Sequence, residues 1–372
     1  LFLATRRLAR SRSAALGIVG ASAVAAGVLG YSATLTRSLE ATLDAKARTF
    51  VGSDVVAVLA DGEVLPPSLA GRATEVRVFR SARLGERRPT EVKVLAVDPA
   101  TFARGAFWDE TMAGPPLDEI LDRLAAPASG RPAPVVVVGL DAGATTELRL
   151  DGGGAEGVTV EPVAELDAFP GMARTTPTVV IDRDALEGAR GGAVETFVAG
   201  DPRQILDALA DAGVTFQQDR VVADVVDRAA FVTVTWTFGY MQTLGVAAGL
   251  LVAVGLAVHV DARRRSRVLG YAFARRMGLS RRAHRTALLL ELLAMVSVGS
   301  CVGLACAYLG AAVAHGRIDP VPGFAPDPLL RPDLVVGAAV ALGSVVVAAV
   351  GAVVAQRLAD RDDPVEVLRA GV

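Results

Sequence analysis

"AAFVTVTWTFGYMQTLGVAAGLLVAVGLAVHV", Ala229–Val260, runs for 32 residues without an Asp, Glu, Lys or Arg. At the α-helical rise this is about 48 Å, well beyond the roughly 30 Å hydrocarbon core of a bilayer. It predicts a transmembrane helix with a projecting outer start, a stalk, with Trp236 and Tyr240 as anchors at the interface. Three further runs lack charged side chains: Ser13–Thr36, Leu292–Gly316 and Leu334–Gln356. Each exceeds the roughly 20 residues a spanning helix needs. The first is also too long for the apolar core of a secretory signal, about 7 to 15 residues, and reads as an anchor. Four transmembrane helices are expected, over 14–36, 229–260, 286–315 and 334–356. An apolar content of 52% with only 5% aromatics fits that class better than a soluble domain. Because the sequence begins at Leu1, it is compatible with a trimmed chain or with one half of a longer polypeptide.

Basic residues set the expected orientation. Arg6, Arg7, Arg10 and Arg12 precede the first run, nine arginines fill Arg263–Arg285, and Arg357 and Arg361 follow the fourth run. By the positive-inside rule, 1–13, 261–285 and 357–372 are cytoplasmic, both termini included, and 37–228 and 316–333 lie outside a bacterial cytoplasmic membrane. The large outer segment carries 20 basic and 31 acidic residues, whereas the whole chain balances at −2. The molecule is therefore polarised, and its arginines sit where topology requires them, so nucleic acid is not an expected partner.

Residues 37–228 read as an α+β domain. "TLTRSLEATLDAKARTF" spaces Leu35, Leu39, Leu43 and Phe50 helically, so the first helix continues outward as a second stalk. Runs rich in β-branched residues follow as strands: "DVVAVLA", "EVRVFR", "EVKVLAV", "PVVVVGL", "GVTVEPV", "TPTVVID" and "VETFVAG". Helices are expected at "PLDEILDRLAA" and "DPRQILDALADAG", the latter with Asp201 as cap and Pro202 at its first position. The fold class is thus a four-helix membrane protein with a large α+β extracytoplasmic domain between the first two helices.

Chemistry-bearing patterns are missing from the sequence. A GxxxxGK[ST] phosphate loop needs a lysine, and the two lysines, Lys46 and Lys93, stand in no such context. His259, His284 and His315 lie at helix boundaries without partners at ligand spacing, and Cys301 and Cys306 are five apart on different helix faces. The acid pairs Asp109/Glu110 and Asp118/Glu119 read as surface solubility, and "DGGGAEG" precedes a strand-like run and so reads as a turn. No catalytic residue, cofactor or metal site is expected, and the chain is read as a non-enzyme. Within the spans Glu291 is the one Asp, Glu, Lys or Arg, about two turns from the cytoplasmic end, and is read as a structural charge. Gly245 with Gly249 and Gly299 with Gly303 form two GxxxG patterns, for packing within the chain or for a dimer seam.

The arginine loop, "RRRSRVLGYAFARRMGLSRRAHR", is too apolar for a plain spacer, since it includes Val268, Leu269, Tyr271, Phe273, Met277 and Leu279. Leu269, Phe273 and Met277 recur every four residues, with Arg275 and Arg276 off that face, and Gly278 then Ser280 end one helix and start the next. A short amphipathic helix results, which rests on anionic membrane lipid or docks in a groove of a cytoplasmic partner.

Here the chain resembles FtsX-like (MacB-type) ABC permeases. "ARRMGLSRRAHRTALLLELL" is similar to a family segment reading roughly Leu-Arg-Ala-Leu-Gly-Ala-Ser, a basic stretch, then a Glu opening the third helix; Arg275, Gly278, Ser280 and Glu291 match. "DPVEVLRAGV" is similar to the family's closing Pro-x-x-x-Leu-Arg through Pro364, Leu368 and Arg369. The order of helices and domain also agrees, whereas Gly270 stands where the family often has an acid. The resemblance implies a permease subunit of an ABC transporter, served by a separate cytoplasmic ABC ATPase and paired with a second permease chain or permease half. It makes the loop a coupling helix, with Leu269, Tyr271, Phe273, Arg275, Arg276, Met277, Gly278, Leu279 and Ser280 as the ATPase-coupling residues. ATP-driven motion would pass through the stalks to the outer domain, for export or extraction of a lipid, lipoprotein, peptide or drug. A second reading is a signalling subunit that activates an extracytoplasmic protein, such as a cell-wall hydrolase, without transport.

Overall fold

The computed structural model describes residues 12–60, 63–86, 88–109, 111–112, 114–125, 132–141, 145–151, 157–186, 188–225, 228–262, 277–278 and 280–361. In chain order the elements are α1 (Arg12–Val51), β1 (Val55–Leu59), β2 (Ala73–Leu84), β3 (Thr90–Val97), α2 (Leu117–Leu124), β4 (Ala133–Val138), β5 (Thr146–Leu150), β6 (Val158–Leu166), β7 (Thr178–Asp182), β8 (Ala193–Val198), α3 (Pro202–Asp211), β9 (Phe216–Val221), α4 (Arg228–Ala262), α5 (Arg281–Ala314) and α6 (Leu334–Arg361). Short helical turns at Pro67–Ala70, Phe102–Gly105 and Val222–Val225 complete the set.

Two compact units divide the chain. One comprises Leu1–Leu39, Ala229–Ile318 and Leu330–Val372; the other comprises Glu40–Arg228 and Asp319–Leu329. The sequence reading treats 316–333 as a separate loop, but its central residues belong to the α+β unit. The chain therefore passes between the units four times, at 39/40 within α1 and at 228/229, 318/319 and 329/330.

The helical unit has four helices long and apolar enough to cross a membrane. Its interior gathers Ile18 of α1, Leu256 and Val260 of α4, Leu288, Leu292 and Met295 of α5, and Ala348 and Ala352 of α6. Its outside is apolar as well: Leu250, Leu251, Val254 and Val258 of α4, Leu309 and Val313 of α5, and Val346 and Val350 of α6 are exposed. Such an all-round apolar surface is what a hydrocarbon solvent selects. Ser32 and Thr36 of α1 donate to the carbonyls of Val28 (2.8 Å) and Ser32 (2.9 Å), so their hydroxyls are satisfied within the helix.

In the α+β unit nine strands run in the order β3-β7-β4-β6-β5-β2-β8-β1-β9, and β3 also pairs with β2. That extra pairing closes β2, β3, β7, β4, β6 and β5 into a ring. β2 makes this possible by its length: its first half pairs with β8, and its last three residues pair with β5. A register shift between Phe79 and Ala82 bends it into the ring. Inward residues alternate as a strand period of two demands, with Val92, Val94 and Ala96 of β3, Val135 and Val137 of β4, and Val179 and Ile181 of β7 filling the ring. The opposite faces, through Leu95, Val97, Val136, Val138 and Val180, meet α2 and the aromatic group of Phe102, Phe169 and Phe197. Phe102 stacks on Phe169 at 5.4 Å between centroids. A third core, under α3, joins Val55 and Ala57 of β1 to Val198, Ile205 and Leu209. Among the described residues of this unit, the exposed large apolar side chains are Val64 and Val194, so its surface is that of a water-facing domain.

Local capping follows the sequence. Asp201 Oδ1 accepts from the amides of Arg203 (3.0 Å) and Gln204 (3.2 Å), with Pro202 in the first turn of α3. β5 and β9 were not foreseen. "TELRL" carries only a short alternation, with Leu148 buried in the ring and Leu150 packed beside it, and "FQQDRV" carries none and is held by pairing with β1.

Candidate functional site

The residues singled out above fall at three places. At the loop before α5, Met277 and Gly278 are exposed, with Gly278 at φ +93°. A left-handed φ of that size is what glycine adopts at a helix end. Ser280 begins α5 as its cap, its Oγ accepting from the amide of Ala283 at 3.2 Å. Leu269, Tyr271, Phe273, Arg275, Arg276 and Leu279 lie outside the described residues, as do Pro364, Leu368 and Arg369.

The second place is the helix seam. A Cβ on Gly303 would meet the carbonyl oxygen of Ala23 at 2.2 Å, and one on Gly299 would meet that of Val19 at 2.4 Å. Both glycines thus sit against the backbone of α1, where only a hydrogen side chain allows so close an approach. Gly245 packs on Leu29 of α1, with a would-be Cβ 2.5 Å from its Cγ. At Gly249 an added Cβ would meet nothing within 4 Å; that residue borders a cavity among α1, α4, α5 and α6. Glu291 is 1% exposed, on the same helix as the buried Leu288, Leu292 and Met295, while Arg282 and Arg285 are exposed. His259 and His284 are buried, and Cys301 and Cys306 are free and exposed. Among the described residues no group of His, Cys, Asp and Glu has the arrangement of a metal site.

The third place was missed in the sequence. Lys46, near the C-terminal end of α1, is 3% exposed. Its ammonium has three donors and uses them on three oxygens: Asp319 Oδ1 at 2.8 Å, the carbonyl of Val321 at 2.8 Å and that of Phe324 at 2.5 Å. One turn earlier, Thr42 Oγ1 accepts from the amide of Leu329 at 2.9 Å; a further turn earlier, Ser38 Oγ accepts from the amide of Arg331 at 3.0 Å. Ser38, Thr42 and Lys46 are four residues apart, one helix face reading the backbone of the segment between α5 and α6. Phe324 is buried in the unit's core and meets Phe50 edge-on at 6.5 Å. The available signal was a lysine placed among Leu39, Leu43 and Phe50 on an apolar helical stripe.

The other lysine is also engaged. Lys93 of β3 donates to the carbonyl of Gly171 at 2.6 Å. Burial pushes its pKa down to about 8; nearby Glu195 opposes the shift, while Arg220 and Arg80 add to it. Glu195, 2% exposed, is ion-paired with Arg220.

No protein-family model and no curated protein matches the chain. Among solved structures, a domain of a protein described as a permease from Porphyromonas gingivalis aligns with 45% of this chain and 88% of its own, at 11% identity and a TM-score of 0.26. The extracellular domain of the noncanonical ABC-type transporter YknZ from Gram-positive bacteria aligns with 45% of this chain and 98% of its own, at 9% identity and a TM-score of 0.25. Superpositions this loose carry no argument.

Proposed function

We propose that the chain is the permease subunit of an ABC transporter, set in a bacterial cytoplasmic membrane by α1, α4, α5 and α6. It couples ATP hydrolysis by a separate cytoplasmic ATPase to motion of the α+β unit, for export or extraction of a lipid, lipoprotein, peptide or drug. The observation that carries this reading is the helical unit: four helices long and apolar enough to cross a membrane, with apolar side chains exposed on their outer surfaces, and an α+β unit inserted in the chain between the first two. In sequence the arginine-rich segments precede α1, join α4 to α5 and close α6, so by the positive-inside rule they form the inner, basic pole of the helices. A force applied at the inner pole has four covalent routes to the α+β unit.

At the inner pole Tyr271, Phe273 and Met277 are the apolar anchors for the ATPase groove, and Arg275 and Arg276 supply steering charge. Nucleotide binding is assigned to the partner, since the sequence carries no phosphate-binding GxxxxGK[ST] loop. Co-purification of the full chain with its cognate ATPase tests the reading. Phe273→Asp with Met277→Asp is expected to release the ATPase while leaving membrane insertion intact; retention of the complex would overturn the docking surface. ATP turnover stimulated by small amphiphiles supports transport, whereas stimulation only by an exported protein would replace transport with signalling.

A further inference from the structure

Closure of the ring leaves the nine-stranded sheet with a single open edge among the described residues. Every other strand is paired on both sides over part or all of its length, whereas β9 pairs only with β1. The direction of its backbone groups follows from two bonds just outside the strands. The amide of Ala199 donates to the carbonyl of Arg72 at 2.9 Å, and that of Val222 to the carbonyl of Asp54 at 3.4 Å. Bonded pairs alternate along an antiparallel ladder, so Glu195 and Phe197 are bonded to β2, Thr196 to β1, and Gln218 and Arg220 to Val58 and Val56. Asp219, which falls between the last two, is left with both its amide and its carbonyl facing away from the sheet. It is exposed, as are Gln217 and Gln218 beside it.

The charge along this edge is mostly acidic. Asp219 stands opposite Ala57, on the face that packs under α3. Asp207 and Asp211 of α3 are exposed as well, against one cation on that helix, Arg203. None of these three carboxylates is in an ion pair among the described residues. Arg220, the cation of β9 itself, belongs to the opposite face, where it is ion-paired with the buried Glu195. Unmet backbone groups at a sheet edge invite another strand, and charge decides which strands are refused. A second copy of this edge would set the same carboxylates against one another.

We propose that the β9 edge docks an extended segment of a partner protein that carries Lys or Arg at every second position, added to the sheet as a further strand. Backbone bonds to Asp219 supply the attachment. The period of two places the segment's basic side chains on the α3 side, beside Asp207, Asp211 and Asp219. The inference needs only the fold of the α+β unit and stands apart from the transporter reading.

The test is fluorescence polarisation with the full chain in a non-ionic detergent. The probe is a labelled heptapeptide in which three lysines alternate with threonine and valine. It is expected to bind saturably, about tenfold or more tighter than a peptide of the same composition with its lysines adjacent, or than a version with glutamate for lysine. A residue opposite Asp219 shares its face and its bonding direction, so the lysine amides of the probe are the ones that meet β9. Methylating two of those backbone amides keeps the charge and is expected to weaken binding about tenfold. Hydrogen exchange is expected to show the Asp219 amide protected by the probe. Asp219→Asn should weaken binding about 1.4-fold to 5-fold, the worth of one opposite-charge cross-strand pair. Asp219→Pro removes an outward amide while sparing the bonds to β1, and should weaken binding about tenfold. Should that variant not fold, the methylated probe tests the same bonds from the peptide side. Equal binding of the adjacent-lysine or methylated peptide, or an Asp219 amide that exchanges as fast with the probe as without it, overturns the proposal. So does a dimer of the chain that Asp219→Lys dissolves, since the edge would then belong to a second copy.

Discussion

Replacing Lys46 by Met keeps most of the side-chain volume and removes only the ammonium. It strands the Asp319 carboxylate, which is 15% exposed, and takes the donor from the carbonyls of Val321 and Phe324. Breaking a buried pair by removing one partner costs about 3 to 5 kcal/mol, and the partial exposure of Asp319 argues for the lower figure. At about 1.4 kcal/mol per tenfold, a loss of about 3 kcal/mol makes local opening roughly 100-fold more frequent. Hydrogen exchange read by mass spectrometry on the full chain in detergent is the assay. The amides of Val321, Leu329 and Arg331, bonded to Asp319, Thr42 and Ser38, are expected to exchange roughly 100-fold faster in Lys46→Met. Lys46→Met combined with Asp319→Leu leaves no stranded charge and is expected to recover most of the protection at Leu329 and Arg331, whereas the Val321 amide, its acceptor gone, stays fast. Exchange in the single variant close to that of the parent, or a double variant worse than both singles together, would refute the reasoning.

Other expectations are more local. Gly303→Ala drives a methyl into the α1 backbone and should destabilise the helical unit by about 1 to 3 kcal/mol. Gly249→Ala, with nothing within 4 Å, should be neutral or stabilising by up to about 1 kcal/mol from helix propensity; thermal denaturation in detergent compares the two. Lys93 has a folded pKa of about 8 against an ordinary 10.5, so the unfolded chain holds the extra proton between these values. Stability should therefore rise by about 3 kcal/mol from below pH 8 to above pH 10.5, and Lys93→Met should flatten that rise relative to the parent. Trp108, packed on Phe169 at 6.1 Å, reports it by fluorescence in a Trp236→Phe background. Ser280→Ala should cost about 1 kcal/mol at the start of α5, seen as faster exchange of the Ala283 amide.

Much of the α+β unit was readable because its inner strands carry their own pattern. "EVKVLAV" alternates between the ring interior and the outer core, and Asp201-Pro202 announces α3. β9 carries no such mark, since pairing with β1 rather than its own side chains holds it in place, and β5 offers only Leu148 and Leu150, too short a pattern to stand out. Of the site residues, the glycines were visible as spacing, but that Gly299 and Gly303 face α1 while Gly249 borders a cavity depends on which helices are neighbours.

By itself the sequence determined the four long apolar helices, their basic ends and the position of the inserted domain. Length and charge are local quantities, and an uncharged run long enough to span hydrocarbon needs no partner to be recognised. Only the tertiary structure decided the closure of β2 onto β3 and β5, the seizure of residues 319–331 by Ser38, Thr42 and Lys46, and the cavity beside Gly249. Each of these joins groups far apart in the chain, and nothing in either partner's own neighbourhood specifies the other.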